Sequence, residues 1–123
     1  MNPILTKAFT AGATVNPWRV VKFDSADGTV IQAAAATDAL LGVANNLGAA
    51  AGNRVDVCLS GIAEVEFGGA VTRGALLTSD ANGKAVAAAP AAGANNRAIG
   101  VAMVSGVSGD IGTVLINPSQ TQG

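Results

Sequence analysis

Glycine, aspartate and asparagine divide this chain into short runs rich in β-branched residues, and this spacing limits the folds that the chain can adopt. Residues 20–23 and 29–31 flank an Asp-Gly pair at positions 27 and 28, and residues 76–78 and 84–86 flank Asn-Gly at positions 82 and 83. Such pairs readily adopt the positive φ angles of primed hairpin turns. The sequence therefore predicts two antiparallel hairpins.

Two further segments alternate polar and apolar side chains with the period of a β-strand. Residues 54–59 alternate in this way, and residues 62–67 do so again after Gly61, with Glu64 and Glu66 on the outward face. The alanine-rich stretches are expected to be extended or irregular connections. We therefore predict an all-β fold, a single small β-barrel or sandwich of short antiparallel strands.

The length of 123 residues indicates one domain, residues 1–123. Within it we expect an extended N-terminal arm over residues 1–12 and a β core over residues 13–116. The last strand, residues 112–116, is expected to end at Asn117 and Pro118, so that the polar residues 117–123 form a flexible tail.

Several segments of the first half recur in the same order in the second half. Residues 12–15 (GATV) recur as 69–72 (GAVT), the Asp-Gly hairpin recurs as the Asn-Gly hairpin, and residues 41–44 (LGVA) recur as 99–102 (IGVA). A repeat of this kind predicts an internal duplication with pseudo-twofold symmetry within one compact barrel or sandwich.

The order of these segments resembles that of small bacteriophage capsid decoration proteins, also called head cement or head stabilisation proteins. The resemblance covers residues 13–116 and is carried by residues 69–78 (GAVTRGALLT), 82–87 (NGKAVA), 97–102 (RAIGVA) and 112–116 (GTVLI). It implies a β-tulip-like fold on the outside of an assembled capsid, commonly as a homotrimer. It also implies a structural virion protein that stabilises contacts between subunits of the major capsid protein.

Charge and hydropathy argue against several other partners. Seven basic and eight acidic residues give a net charge of −1 without a run of either sign, so we expect no nucleic acid partner. We expect no membrane partner, because no apolar stretch is long enough to cross a bilayer. A single cysteine, Cys58, and the absence of a signal-like N-terminus favour synthesis in the host cytoplasm.

The chain contains no histidine, so the commonest general base is missing, and Cys58 has no obvious partner that would activate it. Glu64 and Glu66 could form a carboxylate pair, but a solvated strand face, or a contact with an arginine of a neighbouring subunit, explains them as well. We expect no enzyme, and no catalytic, cofactor or metal site.

The candidate partner-interface residues are Pro3, Ile4, Leu5, Phe9 and Trp18. The N-terminal segment could add to the edge of a neighbour's sheet, or it could be a frayed terminus or the first strand of its own barrel. Trp18 could fill the core or insert into a partner's pocket. A second function, in which a virion-displayed β-domain binds host-surface carbohydrate or protein, remains open, although one Trp and no Tyr disfavour a sugar site.

Overall fold

The computed structural model describes residues 2–123, and these residues form strands, turns and irregular segments without a helix. The all-β prediction is therefore confirmed. The nine strands are β1 Asn2–Ala11, β2 Val20–Phe23, β3 Thr29–Gln32, β4 Leu40–Ala44, β5 Arg54–Glu66, β6 Leu76–Ser79, β7 Ala85–Ala87, β8 Asn95–Ala102 and β9 Ile111–Gln122.

The strands form one sheet that closes on itself twice. Their order is β1-β3-β2-β4-β5-β9-β8-β6-β7, and β1 also pairs with β5, which closes the first five strands of this order into a ring. In the second half a parallel bridge between Phe67 and Ala85 connects the end of β5 with β7 and closes a second ring. The predicted small barrel is therefore present as two rings that share β5. The pairing between β1 and β3 is parallel, as is the Phe67–Ala85 bridge.

The strand pairings of the first half recur in the second half. In the first half Val20 pairs with Val43, and Cys58 pairs with both Val43 and Thr6. The matching pairs of the second half are Leu76 with Val101, Leu115 with Val101 and Leu115 with Ile62. An isolated antiparallel bridge between Val15 and Ala49 likewise recurs between Val71 and Gly106. The repeat that the sequence predicts is thus visible in the pairing.

Buried side chains form two clusters, one for each ring. The first cluster contains Phe9, Ala11, Val15, Val21, Val30, Leu41, Ala44, Val55 and Val57. The second cluster is centred on Phe67, Leu77, Ile99 and Val114, and it also includes Val20, Leu40 and Val43 from the first half. Strand β4 is buried on both faces because it contributes to both clusters.

Both predicted hairpins are present, as β2–β3 and β6–β7, but their turns are not primed turns. Gly28 and Gly83 have φ angles of 73° and 71°, whereas the residues before them do not have positive φ. In the second hairpin the Oδ1 atom of Asp80 accepts hydrogen bonds from the N–H groups of Asn82 (2.8 Å) and Lys84 (2.9 Å). This side chain holds a longer loop in which only the glycine is left-handed.

Two strands are longer than the sequence predicts. Strand β5 continues through Gly61, whose φ of 92° is accommodated without a break and whose missing side chain leaves room for the backbone of Ile4. Strand β9 does not end at Asn117 and Pro118 but pairs with β8 as far as Gln122. The register between these strands shifts by one residue around Pro118, and such a bulge accommodates proline within a ladder.

Candidate partner-binding surfaces

The N-terminal segment is the first strand of the chain's own barrel. Residues of β1 from Asn2 to Thr10 pair antiparallel with β5, with a shift of register near Leu5. Of the alternatives that the sequence left open for this segment, the structure shows the first strand of the chain's own barrel. Pro3, Ile4 and Leu5 remain exposed, and the exposed fractions of Ile4 and Leu5 are 83% and 52%.

Phe9 lies on the same strand but has a different environment. Only 7% of its surface is exposed, and it packs in the first core cluster. The Nζ atom of Lys7 lies 5.3 Å from the centroid of its ring, within the range of a cation–π contact. Phe9 thus packs into the core of the first barrel.

Trp18 is half-buried and has a left-handed backbone, with a φ of 58°. Its carbonyl oxygen accepts a hydrogen bond from the N–H of Glu66 at 3.0 Å, which ties this strained turn to the shared strand β5. The side chain borders a cleft of about 240 Å³, and the other residues that line the cleft are Thr6, Val43, Ala44, Asn45, Asn46, Asp56, Cys58, Ala63 and Glu64.

A second exposed apolar surface lies on the outer face of the second half, and the sequence analysis missed it. Cross-strand pairing aligns four side chains on adjacent strands into one row, which we call the second row: Leu76, Val101, Leu115 and Ile62. Leu76 is 39% exposed and Leu115 46% exposed, and Met103, two residues beyond Val101 on the same side, is 40% exposed. The internal repeat was the one feature of the sequence that could have located this row.

Glu66 binds two cations of its own chain. Its Oε1 atom lies 3.3 Å from Nη2 of Arg19, and its Oε2 atom lies 3.0 Å from Nζ of Lys84. Burial alone would raise the pKa of Glu66, but the hydrogen bonds and charges of Lys84 and Arg19 outweigh burial and lower this pKa. The arginine beside Glu66 therefore belongs to the same subunit. Glu64 instead borders the Trp18 cleft.

The thiol of Cys58 is held in a buried environment. Cys58 is buried, its Sγ atom donates a hydrogen bond to the carbonyl of Ser60 at 3.2 Å, and burial raises the pKa of its thiol, which disfavours the reactive thiolate. Among residues 2–123, no three acidic, cysteine or histidine side chains lie together as metal ligands would. That part of the chain also contains no helix capable of crossing a membrane.

Comparison with known proteins identifies the family. The sequence profile of a family described as phage cement protein matches residues 2–117. The fold is similar to that of the head fiber gp8.5 N base of bacteriophage phi29, with a TM-score of 0.67 and 19% sequence identity over 92% of this chain and 93% of that chain. No curated protein matches the sequence. Because the profile covers nearly the whole chain, the protein belongs to the phage cement proteins, a family of structural proteins associated with the phage capsid.

Proposed function

We propose that this protein binds the outside of an assembled phage capsid as a homotrimer and stabilises the contacts between neighbouring subunits of the major capsid protein. It would be synthesised in the cytoplasm of the bacterial host and would remain on the virion exterior. The observation that carries this proposal is the family match over residues 2–117.

The surface of the protein suits permanent contact with other subunits. Only 12% of the residues are charged, about half of the usual share, while large apolar side chains are exposed on β1 and on the outer face of the second half. Apolar area becomes favourable when it is removed from water. Each contact can be weak, because a trimer that binds several capsid sites at once gains affinity from effective concentration.

Strand β1 is the candidate contact with the capsid. Pro3, Ile4 and Leu5 are exposed. This part of β1 pairs with β5 along one edge only, because β3 pairs with β1 only at Thr10 and Ala11. The other edge of the strand can therefore accept a strand from a capsid subunit. Trp18 would add a large half-exposed ring to the same binding surface.

Heads assembled without the protein provide the test of the stabilising role. Such heads are heated with and without the purified protein, and the temperature at which they release DNA is recorded. We expect a higher release temperature with the wild-type protein and a smaller gain with the double variant Ile4→Ser, Leu5→Ser. Leu47→Ser, at an exposed position in the β4–β5 turn, is the control and should protect as the wild type does. Unchanged DNA release with bound wild-type protein would refute stabilisation.

A second candidate function is binding of host-surface carbohydrate or protein by the virion-displayed domain. The Trp18 cleft favours it, because an aromatic ring there adjoins hydrogen-bonding side chains of Asn46, Asp56 and Glu64. Purified protein added to host cells distinguishes the two functions. Saturable binding to cells that Trp18→Ala abolishes, together with no binding to heads, would favour this alternative.

A further inference from the structure

The second row has a counterpart in the first half of the chain, which we call the first row. The counterpart follows from the equivalent pairings and consists of Val20, Val43, Cys58 and Thr6. Three members of the first row are buried: Val20 is 0%, Val43 1% and Cys58 5% exposed. The same position in the repeat is thus covered in one half and exposed in the other.

The first row packs in part against the second half of the chain and in part borders the Trp18 cleft. Val20, Val43 and Cys58 belong to the cluster that contains Ile99 and Val114, and β4 contacts both β8 and β9 without pairing with either. The buried residues of the first row therefore pack against the second repeat. If a twofold axis related the two repeats, both rows would be buried in the same contact.

The burial of one row and the exposure of the other are typical of a head-to-tail contact between the two halves. In a head-to-tail contact between two repeats, one copy of the contact surface is buried and the equivalent copy on the other repeat stays exposed. Repetition of the same contact between chains gives a ring or a filament. The unused copy here is the second row, in which Leu76 is 39% and Leu115 46% exposed.

From this asymmetry we infer that the second row is the surface on which the first half of another copy of this chain docks, by a head-to-tail contact that closes a ring. The first row shows within the chain what such a row packs against, namely another repeat of the same fold. The inference rests on the proposed homotrimer and names the surface that holds it together.

The residues that border the second row can be compared with their equivalents in the first half. The neighbours of the second row are Met103, directly after β8, Thr113 on β9, and Glu64 on β5, which pairs with Thr113. In the first half the positions equivalent to Met103 and Thr113 hold Asn45 and Asp56, since Met103 donates its N–H to Thr113 as Asn45 does to Asp56. The position equivalent to Glu64 holds Ala8, so each row is bordered by one apolar, one polar and one charged residue.

The test is the mass of the protein in solution, measured by sedimentation velocity over a range of concentrations. We expect the wild type to be an oligomer and Leu115→Glu to be a monomer, with self-association at least about a hundredfold weaker because an unpaired charge would be buried in the contact. Val107→Glu is the matched control, since Val107 is 61% exposed, lies between β8 and β9 and belongs neither to the row nor to the first half, and it should keep the wild-type mass.

Leu76→Glu, on another strand of the row, provides a second variant if Leu115→Glu does not fold, as judged by circular dichroism. A wild type that is monomeric throughout, or row variants with the wild-type mass, would overturn the inference. Leu115→Cys tests the head-to-tail geometry: rapid formation of a dimer linked through residue 115 would indicate a twofold contact and would contradict it.

The same preparations separate this inference from the proposed function. If wild-type protein binds heads while row variants keep the wild-type mass, only the surface assignment fails. If a monomeric wild type binds heads and Leu115→Glu does not, the row contacts the capsid and the docking of a second copy is refuted. Absence of binding to heads would refute the capsid function whatever the mass.

Discussion

Trp18 occupies in the first repeat the position that Gly74 occupies in the second, and both have left-handed backbones, with φ angles of 58° and 91°. Trp18 lies two residues before Val20, the first-row residue that pairs with β4. Gly74 lies two residues before Leu76, the second-row residue that pairs with β8. A side chain larger than hydrogen at such φ values costs roughly 1–3 kcal/mol. Trp18 adopts this strained backbone, and its ring lies beside the first row. Gly74, at the equivalent position, has no side chain beside the second row.

Gly74→Ala should lower the free energy of unfolding by about 1–2 kcal/mol, because the new side chain has open space around it and only the backbone is strained. Gly69→Ala is the matched control. Gly69 does not have a left-handed backbone, and a Cβ there would make an ordinary contact with Val86, so its effect should stay within about 0.5 kcal/mol. Urea unfolding measures both, and equal effects would show that the turn at Gly74 is unstrained.

Phe67 and Gly112 should be energetically coupled. Phe67 is fully buried, and a Cβ at Gly112 would collide with its ring. Gly112→Ala alone should destabilise by about 1–3 kcal/mol through overpacking. Phe67→Leu makes room for the new methyl group. The double variant should therefore lose less free energy of unfolding than the sum of the two single variants, by roughly 0.5–3 kcal/mol. Additive effects in a double-mutant cycle would mean that the ring does not fill this space.

Glu66 should make stability depend on pH. Because its pKa is lowered in the folded state by Lys84 and Arg19, the ion pairs stabilise the fold above the pKa of an unfolded glutamate, about 4.3. This stabilisation is lost as the pH falls through the lower folded value. Glu66→Gln should therefore destabilise by about 0.5–1 kcal/mol at pH 7 and converge with the wild type in acid. A difference that persists unchanged at low pH would contradict this origin.

The exposed and buried residues of β1 should respond differently to substitution. Phe9→Ala should lower the free energy of unfolding by about 3–5 kcal/mol, since it removes a buried ring from the first core. Ile4→Ser, at a site that is 83% exposed, should change it by no more than about 0.5 kcal/mol. Denaturant unfolding of both variants tests the assignment, and a large loss with Ile4→Ser would place that side chain in the core.

Local patterns were sufficient for the hairpins, the repeat and the alternating segments of β5. They were insufficient where a distant strand decides the outcome. Gly61 looks like a strand end in the sequence, yet β5 continues because β1 and β9 pair with it on either side. Pro118 looks like a strand end too, yet a bulge against β8 accommodates it.

The candidate surfaces depend on which face of a strand points into a barrel, and neighbouring apolar residues do not reveal this. Leu76 is 39% exposed while Leu77 is fully buried, although both are leucines of one strand. Phe9 and Ile4 likewise share β1, but only Phe9 reaches the core. Exposure of the second row follows from how the two repeats pack, which the sequence of one repeat does not encode.

The most direct test of the proposed function is co-sedimentation of the purified protein with phage heads that lack it. If the protein is a cement protein of the capsid exterior, it will sediment with the heads and saturate at a fixed number of copies per head, and it will do so without entering the shell. Protein that stays in the supernatant at concentrations well above those of the head subunits would contradict the proposal.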